Sequence, residues 1–135
     1  MTETKQGNRE QATGNSVNDY KDLRVWKKGI DIAEQCYRLT QSFPKEEIYG
    51  LTSQIRRSAV SISSNIAEGY GRRTTAEYIR FLNIAQGSCN ELETQLIIAQ
   101  RIGYCTSESI QEINQELLSI NRMLISLINK LKEKF

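Results

Sequence analysis

The chain has 135 residues, 25% of them charged and 39% hydrophobic, with a formal net charge of +2 and no histidine. This length suits one domain with its own core, and the missing histidine removes the commonest general base and the commonest metal ligand together. Cys36, Cys89 and Cys105 are odd in number and too widely spaced for a zinc pattern or a disulfide framework, so they read as small buried thiols in a reducing compartment.

No apolar run approaches the length of a membrane span and the N-terminus has no signal core, so a soluble, cytoplasmic protein without membrane partners is expected. Residues 1–18 are polar, contain Gly7 and Gly14 and show no hydrophobic period; they are expected to form a disordered tail ahead of one domain over residues 19–135. The pattern predicts a first helix over about residues 22–43, with Asp22 as its N-cap. It has one apolar stripe of Leu23, Trp26, Ile30, Ala33 and Tyr37, and a second of Val25, Ile32, Cys36, Leu39 and Phe43. Pro44, the only proline, closes it.

A second helix is predicted over residues 50–68. Leu51, Ile55, Ala59, Ile62 and Ile66 recur at steps of 4, 4, 3 and 4, and small polar residues lie between them, so a neighbour can approach closely and bond across. Gly69 is expected to take a left-handed cap position. Thr74 and Glu77 have capping-box spacing and open a third helix, 74–102, with the seam Tyr78, Leu82, Ala85, Cys89, Leu92, Leu96 and Ala99. Gly103 stops it. A fourth helix, 107–133, carries Ile110, Ile113, Leu117, Ile120, Leu124, Leu127 and Leu131. Four long helices, short connections and no strand signals predict an all-α, antiparallel up-and-down four-helix bundle.

Charge is segregated along this chain. Residues 50–80 hold Arg56, Arg57, Arg72, Arg73 and Arg80 against Glu68 and Glu77; residues 81–120 hold Arg101 against five glutamates; the last fifteen are basic again, as suits a helix C-terminus. On the third helix Ile84, Gly87, Glu91, Ile98 and Ile102 make a second stripe, about 200° from the core seam at roughly 100° per residue. Apolar residues on that side predict contact with another subunit, and Ile125 and Met123 raise the same question on the fourth helix.

Several linked stretches carry a family resemblance. Phe43-Pro44-Lys45-Glu46-Glu47, then Tyr49 through Arg57, then Ser64-Asn65-Ile66-Ala67-Glu68-Gly69, and later Phe81-Leu82, Ile84-Ala85, Gly87-Ser88 and Glu91 through Leu96, resemble the four-helix-bundle proteins of 23S ribosomal RNA intervening sequences. The resemblance implies a ring-like homopentamer. It also implies kinship with the accessory variability proteins of diversity-generating retroelements, which partner a reverse transcriptase and bind nucleic acid. In the middle of the second helix, where the family typically has proline, this chain has Ser63.

Three classes of function follow. Arg56, Arg57, Arg72, Arg73 and Arg80 are candidates for a rim that contacts RNA or DNA backbone, Arg72 and Arg73 standing just before a helix N-terminus. The competing reading pairs Arg56 and Arg57 with Glu68, Glu91 or Glu93. A protein-interaction scaffold, for a reverse transcriptase or another protein, is the alternative, with Tyr70 as a surface aromatic and Trp26 assigned to the core. An enzyme is the weakest class: Glu91 and Glu93 point apart, and Glu108, Glu112 and Glu116 read as a solvated face. No cofactor or metal site is expected.

Overall fold

The computed structural model describes residues 19–133. They form four helices, α1 (Arg24–Thr40), α2 (Leu51–Tyr70), α3 (Thr75–Arg101) and α4 (Ser107–Lys132), with 3-10 turns at Tyr20–Asp22 and Lys45–Glu47. No strand occurs among the described residues, and the tail expected over residues 1–18 lies outside them. α1 packs on α2 and α4, and α3 packs on the same two helices. Each packed pair runs antiparallel, which makes an up-and-down four-helix bundle.

The seams predicted for α2, α3 and α4 form the core. Ile55, Ala59, Ile62 and Ile66 meet Tyr78, Leu82, Leu92 and Leu96 with no exposed surface, and Ile120 and Leu124 close the layer from α4. Of the two predicted stripes, Val25, Ile32 and Cys36 of α1, with Phe43 just beyond it, are deeply buried. Ile30 and Tyr37, from the other stripe, remain 39% and 43% exposed, because α1 has two packed neighbours and its combined apolar arc is wider than they cover. Trp26 is partly buried against the core, edge-on to Tyr20 at 5.4 Å, as its stripe implies.

Three helix ends differ from expectation. Asp22 does not cap α1. The chain enters that helix from the extended, buried Leu23, and the capping carboxylate is Asp19, which accepts from the Lys21 amide at 2.8 Å one turn earlier. α1 ends at Thr40 rather than Phe43, where the Thr40 hydroxyl turns back to donate to the Cys36 carbonyl at 2.8 Å.

Gly69 is the third. It lies inside α2, with a helical backbone, and α2 runs on to Tyr70. Its glycine is required by proximity: a Cβ there would stand 2.8 Å from the Phe81 Cβ and 3.2 Å from the Tyr78 carbonyl. The left-handed cap is found at Gly103 instead (φ 89°), where Tyr104 N–H reaches the Ala99 carbonyl and Gly103 N–H the Gln100 carbonyl, the paired bonds of a Schellman motif. Thr74 caps α3 by accepting from the Glu77 amide, and Thr106 and Ser109 cap α4 reciprocally.

Ser63 is buried where α1 crosses α2, and a Cβ on Gly29 would lie 3.1 Å from its own. Small residues there let the two backbones come close.

Candidate functional site

The turn from α2 into α3 gathers three of the five candidate arginines. Arg72 pairs with Glu68 one turn back and stands 4.8 Å from the Phe81 ring centroid; Arg80 stands 4.9 Å from the same ring and 3.6 Å from Glu77. Arg73 between them is exposed and has no ion pair or hydrogen bond among the described residues. The aromatic ring fixes the direction of two guanidiniums, while two carboxylates reduce the local charge. The N-terminus of α3, with its positive dipole end, opens at this point. Chain order puts the C-terminus of α4, with Lys130 and Lys132, at the same end of the bundle. Sequence reasoning assigned those lysines only to the helix dipole, since their neighbours in space are set by topology.

Arg56 and Arg57 lie in the other half of α2. Arg56 faces α1: its Nε donates to the Thr40 hydroxyl at 2.8 Å and its guanidinium covers the Tyr37 ring at 4.6 Å. Its partners are thus a hydroxyl and a ring, not Glu68, Glu91 or Glu93. Arg57, about 100° further round the helix, faces α3. There α2 and α3 part around a cleft of about 370 Å³ lined by Gln54, Arg57, Ser58, Ser61, Glu91 and Gln95. Ser61 and Ser88 close one side of it with a 2.8 Å hydroxyl contact, the bond across helices expected of the small-residue surface. Arg57 and Glu91 share this cleft without an ion pair.

Gln95 was missed by the sequence reading. It lies one position from the Leu96 seam, is only 8% exposed, and its Oε1 has no hydrogen-bond partner. A glutamine beside a core position is the only signal the sequence offers for it.

The second stripe of α3 is on the outside of the bundle. Ile84, Ile98 and Ile102 are 40%, 45% and 54% exposed, and Gly87 is exposed with nothing within 4 Å of where a Cβ would be. Ile125 is also exposed, but Met123 packs partly buried against the core and leaves that outer set. Tyr70 is no surface aromatic: it is buried edge-on to Tyr78 at 6.0 Å, because α2 continues past Gly69 and carries it under α3.

The fold shifts the proton affinity of three thiols and of the Glu47 carboxylate. Burial pushes the Cys36 thiol up to about 12, and burial together with Glu93 does the same for Cys89. Cys105 is raised too, by burial, against a hydrogen bond with Ser109. Such thiols stay protonated and unreactive near neutrality. Glu47 is held below its ordinary value by the Leu51 amide and then by the Tyr104 hydroxyl, at 2.8 and 2.7 Å. No group of three or more metal-binding side chains occurs among the described residues, and no described helix is long and apolar enough to cross a membrane.

Residues 21–126 match the model of the 23S rRNA-intervening sequence protein family. The chain belongs to that family. It is also similar to the crystal structure of a protein of unknown function of the S23 ribosomal protein family from Bacteroides thetaiotaomicron, at 33% identity and a TM-score of 0.69, over 77% of this chain and 97% of that one. No curated protein matches it. The family match covers α1, α2, α3 and α4 as far as residue 126, including the arginine-bearing turn and the cleft.

Proposed function

We propose that this intervening-sequence protein is a non-enzymatic, cytoplasmic, self-assembling bundle that holds RNA or DNA by the phosphate backbone, at the end where α2 passes into α3. The observation that carries the reading is the cluster of Arg72, Arg73 and Arg80 around Phe81 beside the N-terminus of α3. Two guanidiniums are oriented by the ring, the third is unpaired, and backbone amides stand next to them. Phosphate neutralisation dominates such binding, and a chain of net charge +2 gains it by repetition. The exposed isoleucines and Gly87 on α3 support self-association, and the family resemblance implies a homopentamer that repeats the cluster around a ring.

Retention of a ribosomal RNA fragment, measured across a salt series, tests this. Substituting Arg72 and Arg73 by Ala is expected to weaken retention and to lower the log–log salt slope by about 2, near one for each phosphate contact removed. An unchanged slope and affinity would sink the reading.

A protein-interaction scaffold is the second reading, supported by the pairing of Arg72 and Arg80 with glutamates and by exposed apolar groups such as Tyr49 and Ile98. A partner, such as a reverse transcriptase, that stays bound after nuclease treatment and in the arginine variant would favour it.

A further inference from the structure

Several cations have a partner within the chain. Lys28 pairs with Glu116, Arg38 with Glu34, Arg72 with Glu68 and Arg80 with Glu77, while Arg56 binds Thr40. The cleft between α2 and α3 differs from these. Arg57 and Glu91 on its rim make no ion pair, and Gln95 at its floor is nine-tenths buried with no hydrogen bond. Burying an amide without a partner is unfavourable, so a group held this way is matched to something that enters. An open, polar cleft beside the exposed Ile98 has the make-up of an interface: a hydrogen-bonding centre with an apolar flank.

One element of the same chain has the complementary form. Tyr49 is 95% exposed and Ile48 beside it is 49% exposed. The backbone that carries them is fixed. The Glu47 carboxylate takes the Leu51 amide on one oxygen and the Tyr104 hydroxyl on the other, and Gly50 N–H donates to the Glu47 carbonyl at 2.9 Å. A Cβ on Gly50 would stand 2.5 Å from the Glu47 Oε1, so a side chain there would displace the carboxylate that makes these bonds. A ring presented on an ordered turn loses little freedom when it is bound.

We infer that Tyr49 of one copy docks in the α2–α3 cleft of a second copy. Its hydroxyl both donates and accepts, so it satisfies the Gln95 amide in either orientation. Lys45 and Glu46 on the turn just before it bring one charge of each sign, as Glu91 and Arg57 do to the lining of the cleft. Tyr49 precedes α2 and Arg57 lies about two turns into it, roughly 12 Å along the axis at 1.5 Å per residue. Knob and cleft are therefore offset by about two turns along the bundle. A contact of this kind is heterologous, and repeating it with rotation generates a closed ring or an open chain. The inference rests on the self-association proposed above and names the surfaces that make it.

The experiment is a measurement of solution mass against concentration for the full chain, the Tyr49→Ala variant and the Gln95→Leu variant, with thermal melting of each. Tyr49 is so exposed that its removal leaves the fold intact. The wild type is expected to assemble and each variant to assemble at least about tenfold more weakly. An equal mixture of the two variants is expected to give a dimer with one of each and nothing larger, since only one knob and one cleft survive in that pair. Wild-type assembly that Tyr49→Ala leaves unchanged overturns the docking while self-association stands. A wild type that is monomeric at every concentration overturns both. Loss of RNA retention by Gln95→Leu with assembly unchanged assigns the cleft to nucleic acid and also overturns the docking.

Discussion

Near its C-terminus α2 lies so close to α3 that Gly69 has no room for a side chain, whereas half-way along the same two helices part around a cleft floored by Gln95. At the first place side chains engage one another: Tyr70 stacks on Tyr78, and Arg72 covers Phe81 and pairs with Glu68. At the second, Arg57, Glu91 and Gln95 face one another without bonding. The same helix pair thus does two jobs. Where backbones touch, side chains have been fitted to hold the fold; where they separate, polar groups are left for something outside the chain.

The largest effect is expected at the close crossing. Gly69→Ala gains about 0.5–1 kcal/mol of helix propensity but forces α3 away at the Phe81 Cβ and the Tyr78 carbonyl, neither of them the end of a flexible side chain. Overpacking of this sort costs about 1–3 kcal/mol, so denaturant titration should show a net loss of about 1–2 kcal/mol. An unchanged midpoint would mean that the crossing is not limited by backbone contact.

The cleft should respond in the opposite sense. Gln95→Leu removes a buried amide that has no partner and should raise monomer stability by about 1 kcal/mol, measured below the assembly concentration. A loss of similar size would show that the amide is satisfied within the monomer, and the contrast between the two regions would fail. Gly87→Ala sharpens the same contrast at a second glycine position. Nothing lies within 4 Å of its Cβ position, so the helix propensity gain of about 0.5–1 kcal/mol should appear undiminished.

Much of this fold was legible because its helices have unambiguous periods. Ile55, Ala59, Ile62 and Ile66 on α2, and Tyr78 through Ala99 on α3, are buried as their spacing requires. What periodicity does not carry is the distance between two helices once they pack. Gly69 has the sequence context of a cap, and only the proximity of Phe81 shows why glycine is needed there and why Tyr70 is buried. The five arginines show the same limit. Arg56 and Arg57 are adjacent in sequence, yet one turns to Tyr37 on α1 and the other to Glu91 on α3, because successive helical positions face different neighbours. Arg72, Arg73 and Arg80 come together as their spacing around a turn suggested. Gln95 had no pattern to betray it, since a polar residue beside a seam is ordinary until its surroundings are known.

The smallest effect concerns the turn that presents Tyr49. Glu47 has its proton affinity lowered in the fold, mainly by the Leu51 amide and then by Tyr104. A depressed carboxylate adds stability above its ordinary value and loses it as pH falls through the folded value. Tyr104 is raised, first by its bond to Glu47; its contribution is full below the ordinary tyrosine value and is lost as pH rises through the folded one. The two limbs separate by mutation. Thermal melts across pH should show that Glu47→Gln removes this residue's share of the acid limb, whereas Tyr104→Phe keeps most of it, because the Leu51 bond remains. Tyr104→Phe should remove this residue's share of the alkaline limb. If Tyr104→Phe erased the acid limb as fully as Glu47→Gln, the hydroxyl and not the helix amide would be what fixes the Glu47 carboxylate, and the turn would depend on α3's distal loop rather than on the start of α2.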